Sequence, residues 1–120
     1  MKAVTVSKYG SASLEEIAVP DSRRGNLLIE VKAATVNRTD CAMVYGKPFI
    51  MRFFTGLFSP GGFVPGTDFA GVVMSAGPGV QGFKPGDRVF GFSDSGLGTQ
   101  AEYASVPASA TGRIPRGVSY

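Results

Sequence analysis

The run Val64-Pro65-Gly66-Thr67-Asp68-Phe69-Ala70-Gly71-Val72-Val73 decides how this chain is read, together with its continuation Gly82-Phe83-Lys84-Pro85-Gly86-Asp87-Arg88-Val89. Proline fixes φ and glycine relieves it, so each segment reads as a strand entered from a tight turn. In the first, the chain turns on Pro65 and Gly66 and runs apolar through Val73. In the second, the turn at residues 84–87 releases an apolar strand at 88–92.

Outward from this pair, the chain alternates short strands and turns. Residues 2–6 read as a first strand and 14–19 as a returning one, ended by Pro20. Residues 27–36 give the clearest strand, with Leu27, Ile29, Val31 and Ala33 on one face and Leu28, Glu30 and Lys32 on the other. Residues 37–45 change character and predict a helix of two turns, capped by Asn37 or Thr39, with Asp40 in its first turn. Gly46 and Pro48 stop it. A long aromatic-rich loop fills 47–63, and a Gly/Ser loop fills 93–98. Further strands are expected at 100–106 and 110–114. Many short strands at turn-rich spacing predict an all-β barrel or sandwich.

The composition bounds what such a domain can do. At 120 residues, with 43% hydrophobic and 18% charged, the chain supports one folded domain with a real core. The net charge is +3, and of the 12 lysines and arginines only Arg23 and Arg24 are adjacent, so no nucleic-acid-binding stripe exists. A weak attraction for anionic ligands is all this charge licenses. Cys41 is the single cysteine, which excludes an internal disulfide and points to a reducing cytoplasm. Met1 leads straight into a strand, with no secretory signal. The greasiest stretch, Phe49-Ile50-Met51-Arg52-Phe53-Phe54-Thr55-Gly56-Leu57-Phe58, is interrupted by Arg52 and Gly56. It falls short of the about 20 apolar residues a membrane span requires. A loop this apolar needs a cover: its own barrel, a partner domain or subunit, or an apolar substrate.

The absence of histidine excludes Ser-His-Asp and Cys-His catalysis from this chain alone. One cysteine and no imidazole leave only carboxylates as strong zinc ligands. Cys41 reads as a structural or incidental thiol. Asn37, Thr39 and Asp40 read as helix cap and turn formers or as hydrogen-bonding site groups; Asp40 reads first as a cap, whereas for Asn37 and Thr67 residue type alone leaves the two readings even. Arg38 reads as a solvated cation or an anion contact. Tyr45 reads as a packed ring or as a phenol that orients or protonates a substrate oxygen. Two glycine patterns imitate a dinucleotide fingerprint, Gly77-Pro78-Gly79-Val80-Gln81-Gly82 and Gly96-Leu97-Gly98-Thr99-Gln100-Ala101. Such a fingerprint must open a helix on a parallel sheet. The first runs into Phe83-Lys84-Pro85-Gly86 and the second into a strand, so both are expected to be β-turns.

Taken together, the paired turn-strand motifs resemble the GroES-like N-terminal domain of the medium-chain dehydrogenase/reductase superfamily. Within it they look most like the zinc-free quinone oxidoreductase, zeta-crystallin-like branch. The resemblance runs from Met1 to about Pro115. It implies a mainly β fold, a partly open GroES-like barrel with one or two short helices. It also implies that residues 1–120 are the substrate-side domain of a longer two-domain enzyme, whose Rossmann domain is absent from this chain. In zinc-dependent members a cysteine precedes a short polar run ending in Asp, and a His-Glu pair follows the later glycine. The matching positions here are Asn37, before Arg38-Thr39-Asp40, and Thr67-Asp68, after Gly66, so the resemblance implies no zinc. It implies NADPH as cofactor and a small apolar carbonyl or quinone as substrate, with a possible homodimer. Asn37, Thr39, Tyr45 and Thr67 would be catalytic, and Asn37, Arg38 and Thr67 would touch the cofactor. Tyr45, Phe49, Phe53 and Phe92 would line the substrate pocket. The rival reading is a non-catalytic GroES-like interaction or oligomerisation module. A co-chaperonin is not favoured, because its mobile loop and ring interface are not recognisable here.

Overall fold

A computed structural model describes residues 1–47, 49, 62–93 and 98–120. Strand β1 is Lys2–Lys8, β2 Ser11–Glu16 and β3 Asn26–Ala33. Helix α1 is Arg38–Tyr45, followed by β4 Asp68–Ala76, β5 Arg88–Phe92, β6 Tyr103–Pro107 and β7 Thr111–Arg113.

The quoted run supplies the middle of the molecule. Strand β4 lies between β3 and β5 in a five-stranded sheet of order β6-β3-β4-β5-β7, and every pairing is antiparallel. Alternation along each strand sends one set of side chains inward. Leu27 and Ile29 of β3, Phe69 and Val73 of β4, Val89 of β5, and Ala104 and Val106 of β6 form the buried cluster. Burying a side chain of the Val, Leu, Ile or Phe class contributes about 1.5–3 kcal/mol, so this face carries most of the sheet's cohesion.

A separate hairpin pairs β1 with β2. Two isolated bridges, Ala3 with Ala101 and Val6 with Phe63, tie it to the rest. Among the described residues the two sheets do not close into a continuous barrel, which agrees with a partly open GroES-like fold. No helix among them is long and apolar enough to cross a membrane.

The expected elements all form, with shifted ends. Strand β2 starts at Ser11, three residues early, because the turn at Tyr9 and Gly10 is tighter than expected. Strand β3 ends at Ala33, and residues 34–36 leave the sheet toward the start of β4. Strand β6 starts at Tyr103, because Gln100 and Ala101 turn toward the hairpin, where Val4 N donates to Gln100 O at 3.0 Å. Residues 77–82 form no helix: Val80 N donates to Gly77 O at 3.2 Å, and the chain runs on into the turn before β5. Residues 98–101 likewise open no helix, and Gly96 and Leu97 lie outside the described residues.

Candidate functional site

The site is built on the N-terminus of α1. Asn37 is extended, and its side chain accepts from Asp40 N at 3.1 Å, while the Asp40 carboxylate accepts from Asn37 N at 3.0 Å. This reciprocal box satisfies backbone donors that a helix start leaves free. Gly46 ends the helix in the left-handed region, with φ +63. Pro48, the second stop signal, lies outside the described residues.

Asp40 does more than cap. It is 2% exposed, and its other oxygen accepts from Gly66 N at 3.1 Å. Gln100 Nε2 reaches it at 3.4 Å and also donates to Thr35 O at 3.3 Å. A buried carboxylate needs donors, and these neutral ones take the place of a cation. Asp40 thereby pins the helix start to the Pro65-Gly66 turn. Gly66 has φ +107, and a Cβ there would collide with Thr99 Oγ1 and lie 2.7 Å from the Gln100 backbone nitrogen. Thr99 Oγ1 is buried and has no hydrogen-bond partner among the described residues.

On the other side of Asn37, its Nδ2 donates to Thr67 Oγ1 at 3.0 Å and to Asp68 Oδ2 at 3.3 Å. Thr35 Oγ1 donates to the same Asp68 oxygen. These contacts fix the orientation of the amide, since Nδ2 faces two acceptors and Oδ1 faces a backbone donor. Both amide hydrogens are used. What stays available is the second lone pair of Asn37 Oδ1 and the hydroxyl proton of Thr67. Thr67 itself is 2% exposed, and its carbonyl accepts from Ser93 N at 2.8 Å, which ties the start of β4 to the end of β5. Phe92 lies directly opposite Asp68 in the ladder and is 53% exposed.

The structure thus brings Asn37 and Thr67 into contact, with Phe92 close by. Arg38 and Thr39 sit exposed in the first turn of α1. Tyr45 stands apart: at about 1.5 Å rise per residue, the helix carries it about 12 Å along the axis from Asn37. Its ring lies against Gly10, where Gly10 N donates to Val44 O at 2.8 Å. Phe49 is exposed, and Phe53, with the rest of that apolar loop, lies outside the described residues. Cys41 is exposed and takes no part in the cluster.

Sequence reasoning gave no role to Thr35, Asp68 or Gln100. Asp68 was visible beside Thr67 in the deciding run. Thr35 and Gln100 had no signal, because their contacts with Asp68 and Asp40 span 33 and 60 residues of chain. A groove of about 770 Å³ runs between residues 17–21 and β6, but none of the candidate residues lines it. Chemically, the cluster is an amide, a hydroxyl and two carboxylates. It can orient and polarise; it holds no imidazole and no strong nucleophile.

Comparison with known proteins agrees with this fold. Residues 23–116 match the alcohol dehydrogenase GroES-like domain. The chain is 36% identical to a chloroplastic quinone-oxidoreductase homolog of Spinacia oleracea, over 99% of the chain and 36% of the relative. It is 33% identical to a chloroplastic NADPH-dependent alkenal/one oxidoreductase of Arabidopsis thaliana, over 100% of the chain and 32% of the relative. The quinone oxidoreductase structure from Coxiella burnetii superposes with a TM-score of 0.87 at 25% identity, covering 99% of this chain and 38% of that one. The chain therefore spans about a third of the length of the relatives it matches. On the domain match, the shared fold and these relatives, the chain belongs to the alcohol dehydrogenase GroES-like domain family of the medium-chain dehydrogenase/reductases.

Proposed function

We propose that residues 1–120 are the substrate-side domain of a zinc-independent, NADPH-dependent oxidoreductase that reduces quinones or α,β-unsaturated carbonyls. One contact supports this reading above the rest, the 3.0 Å hydrogen bond between Asn37 and Thr67. The two positions that match zinc ligands in zinc-dependent relatives lie together here. They carry an amide and a hydroxyl bonded to each other. That donor set suits orientation of a neutral carbonyl and does not suit zinc, which prefers thiolate, imidazole and carboxylate.

When bound, the nicotinamide cofactor supplies the hydride. The chain's own residues position the partners. Asn37 and Thr67 flank the nicotinamide end of the cleft, with Asn37 presenting Oδ1 and setting the direction in which the Thr67 proton points. Arg38 offers its guanidinium to the pyrophosphate. Thr39 is the better placed of the two candidate donors to the substrate carbonyl, because Tyr45 stands at the far end of α1. Phe92 and the apolar loop that contains Phe49 and Phe53 give the pocket its wall, and the loop is also the surface for a homodimer. The site stays in the reducing cytoplasm, where Cys41 remains a thiol.

The test is an NADPH titration. Arg38 supplies one or two charge-assisted contacts, each about 1.5–3 kcal/mol. A micromolar complex needs roughly 8 kcal/mol, and no glycine loop in the described residues opens a helix toward a phosphate. The 120-residue chain should therefore show no saturable binding below millimolar NADPH, whereas the full-length protein should bind at micromolar levels. Micromolar binding by the short chain would contradict the reading. Failure of the full-length protein to bind NADPH would favour the non-catalytic module.

A further inference from the structure

The carboxylate of Asp68 stands at the rim of the site and, among the described residues, is not shielded by a cation. It is half-buried, at the first position of β4, and its two hydrogen-bond donors, Thr35 Oγ1 and Asn37 Nδ2, are both neutral. Among the described residues no lysine or arginine pairs with it, although the chain as a whole carries a charge of +3. Asp40 differs: it is buried behind Asn37 and spent on Gly66, Asn37 and Gln100. Asp68 is directly opposite Phe92, whose ring is exposed. Side chains directly opposite in an antiparallel pair have Cβ atoms about 4.5–5.5 Å apart. An aromatic or enone substrate lying on Phe92 would therefore have the Asp68 carboxylate as a close neighbour.

We infer that Asp68 is a specificity-determining residue that selects acceptors by charge, admitting neutral quinones and enones and rejecting those that carry a carboxylate. This rests on the oxidoreductase reading above. The physical basis is that a second anion beside a carboxylate that no cation pairs with among the described residues meets repulsion. At about 6 Å and an effective dielectric near 20, that repulsion is worth on the order of 100-fold in affinity. Solvent on the open side of the half-buried group reduces this to roughly tenfold.

The probes are an anthraquinone carboxylate and its carboxamide, equal in shape and different in charge. Their binding to the full-length protein is measured by equilibrium dialysis at low salt. The wild type should bind the carboxamide about tenfold or more tightly than the carboxylate. Asp68→Asn keeps an oxygen acceptor for Thr35 and Asn37 and should bring the two affinities together. In the unaltered protein the gap should also narrow as salt rises, because exposed charges are screened. Absence of a gap in the wild type, a gap that Asp68→Asn leaves unchanged, or one that ignores salt would each overturn the inference. Turnover of NADPH with phenanthrenequinone is scored separately. A gap that closes in Asp68→Asn without any turnover would retain charge selection and sink the oxidoreductase reading.

Discussion

Asp40→Ala is the perturbation that most directly probes how the site is held. It removes the acceptor of Gly66 N at 3.1 Å and of Asn37 N at 3.0 Å, and frees the Gln100 amide. A buried donor left without a partner costs about 1–3 kcal/mol. Gly66 is fully enclosed and belongs in that range, while Asn37 N is half-buried and belongs at its lower end. Relief from burying a carboxylate, which is 2% exposed here, offsets part of the sum. The net loss should be about 1–3 kcal/mol, or roughly 10 °C in Tm at the upper end for a domain of this size. Urea unfolding of the chain followed by circular dichroism measures it. Asp87→Ala is the comparison, because half-buried Asp87 also accepts a backbone N–H, that of Lys84 at 3.0 Å, and pairs with Arg113 at 3.4 Å, but the Lys84 N–H is exposed and water can replace its partner. That variant should cost no more than about 1 kcal/mol. Equal losses for the two variants would refute the idea that Asp40 clamps the helix to the Pro65-Gly66 turn.

Two further outcomes follow from the same structure. Gly66→Ala should destabilise the chain by about 2–5 kcal/mol in the same urea experiment, from a φ of +107 and a collision with Thr99 and the Gln100 backbone; a loss under 1 kcal/mol would mean that the turn relaxes freely. Replacing Phe53 and Phe54 together with Ser should shift the full-length protein toward monomer in sedimentation runs, or weaken binding of an apolar quinone; no change in either would remove the loop from both roles.

Where the sequence was legible, the physics was local. Pro65-Gly66 and the turn at 84–87 announce β4 and β5 through backbone restriction alone, and alternation from Leu27 to Val31 announces β3 and its buried face. Asn37, Asp40 and Gly46 announce both ends of α1, since a cap acts within a few residues. Strand ends were less legible. The early end of β3 depends on Thr35 reaching Asp68, and the late start of β6 on Gln100 and Ala101 turning to the hairpin. The site was half legible. Asn37 and Thr67 could be named from residue type and motif position, but the orientation of the Asn37 amide required Asp68, Asp40 and the backbone around them. Tyr45 shows the opposite limit: its residue type gives no sign that the length of α1 sets it apart from Asn37 and Thr67.

The most direct test of the central claim is turnover by full-length protein from which metal has been stripped. The protein is dialysed against a strong chelator, its zinc content is measured, and NADPH oxidation is followed after adding phenanthrenequinone. Well under one zinc per chain and undiminished oxidation of NADPH are expected. A tightly held stoichiometric zinc, or oxidation that disappears with the metal and returns on adding it back, would contradict that claim.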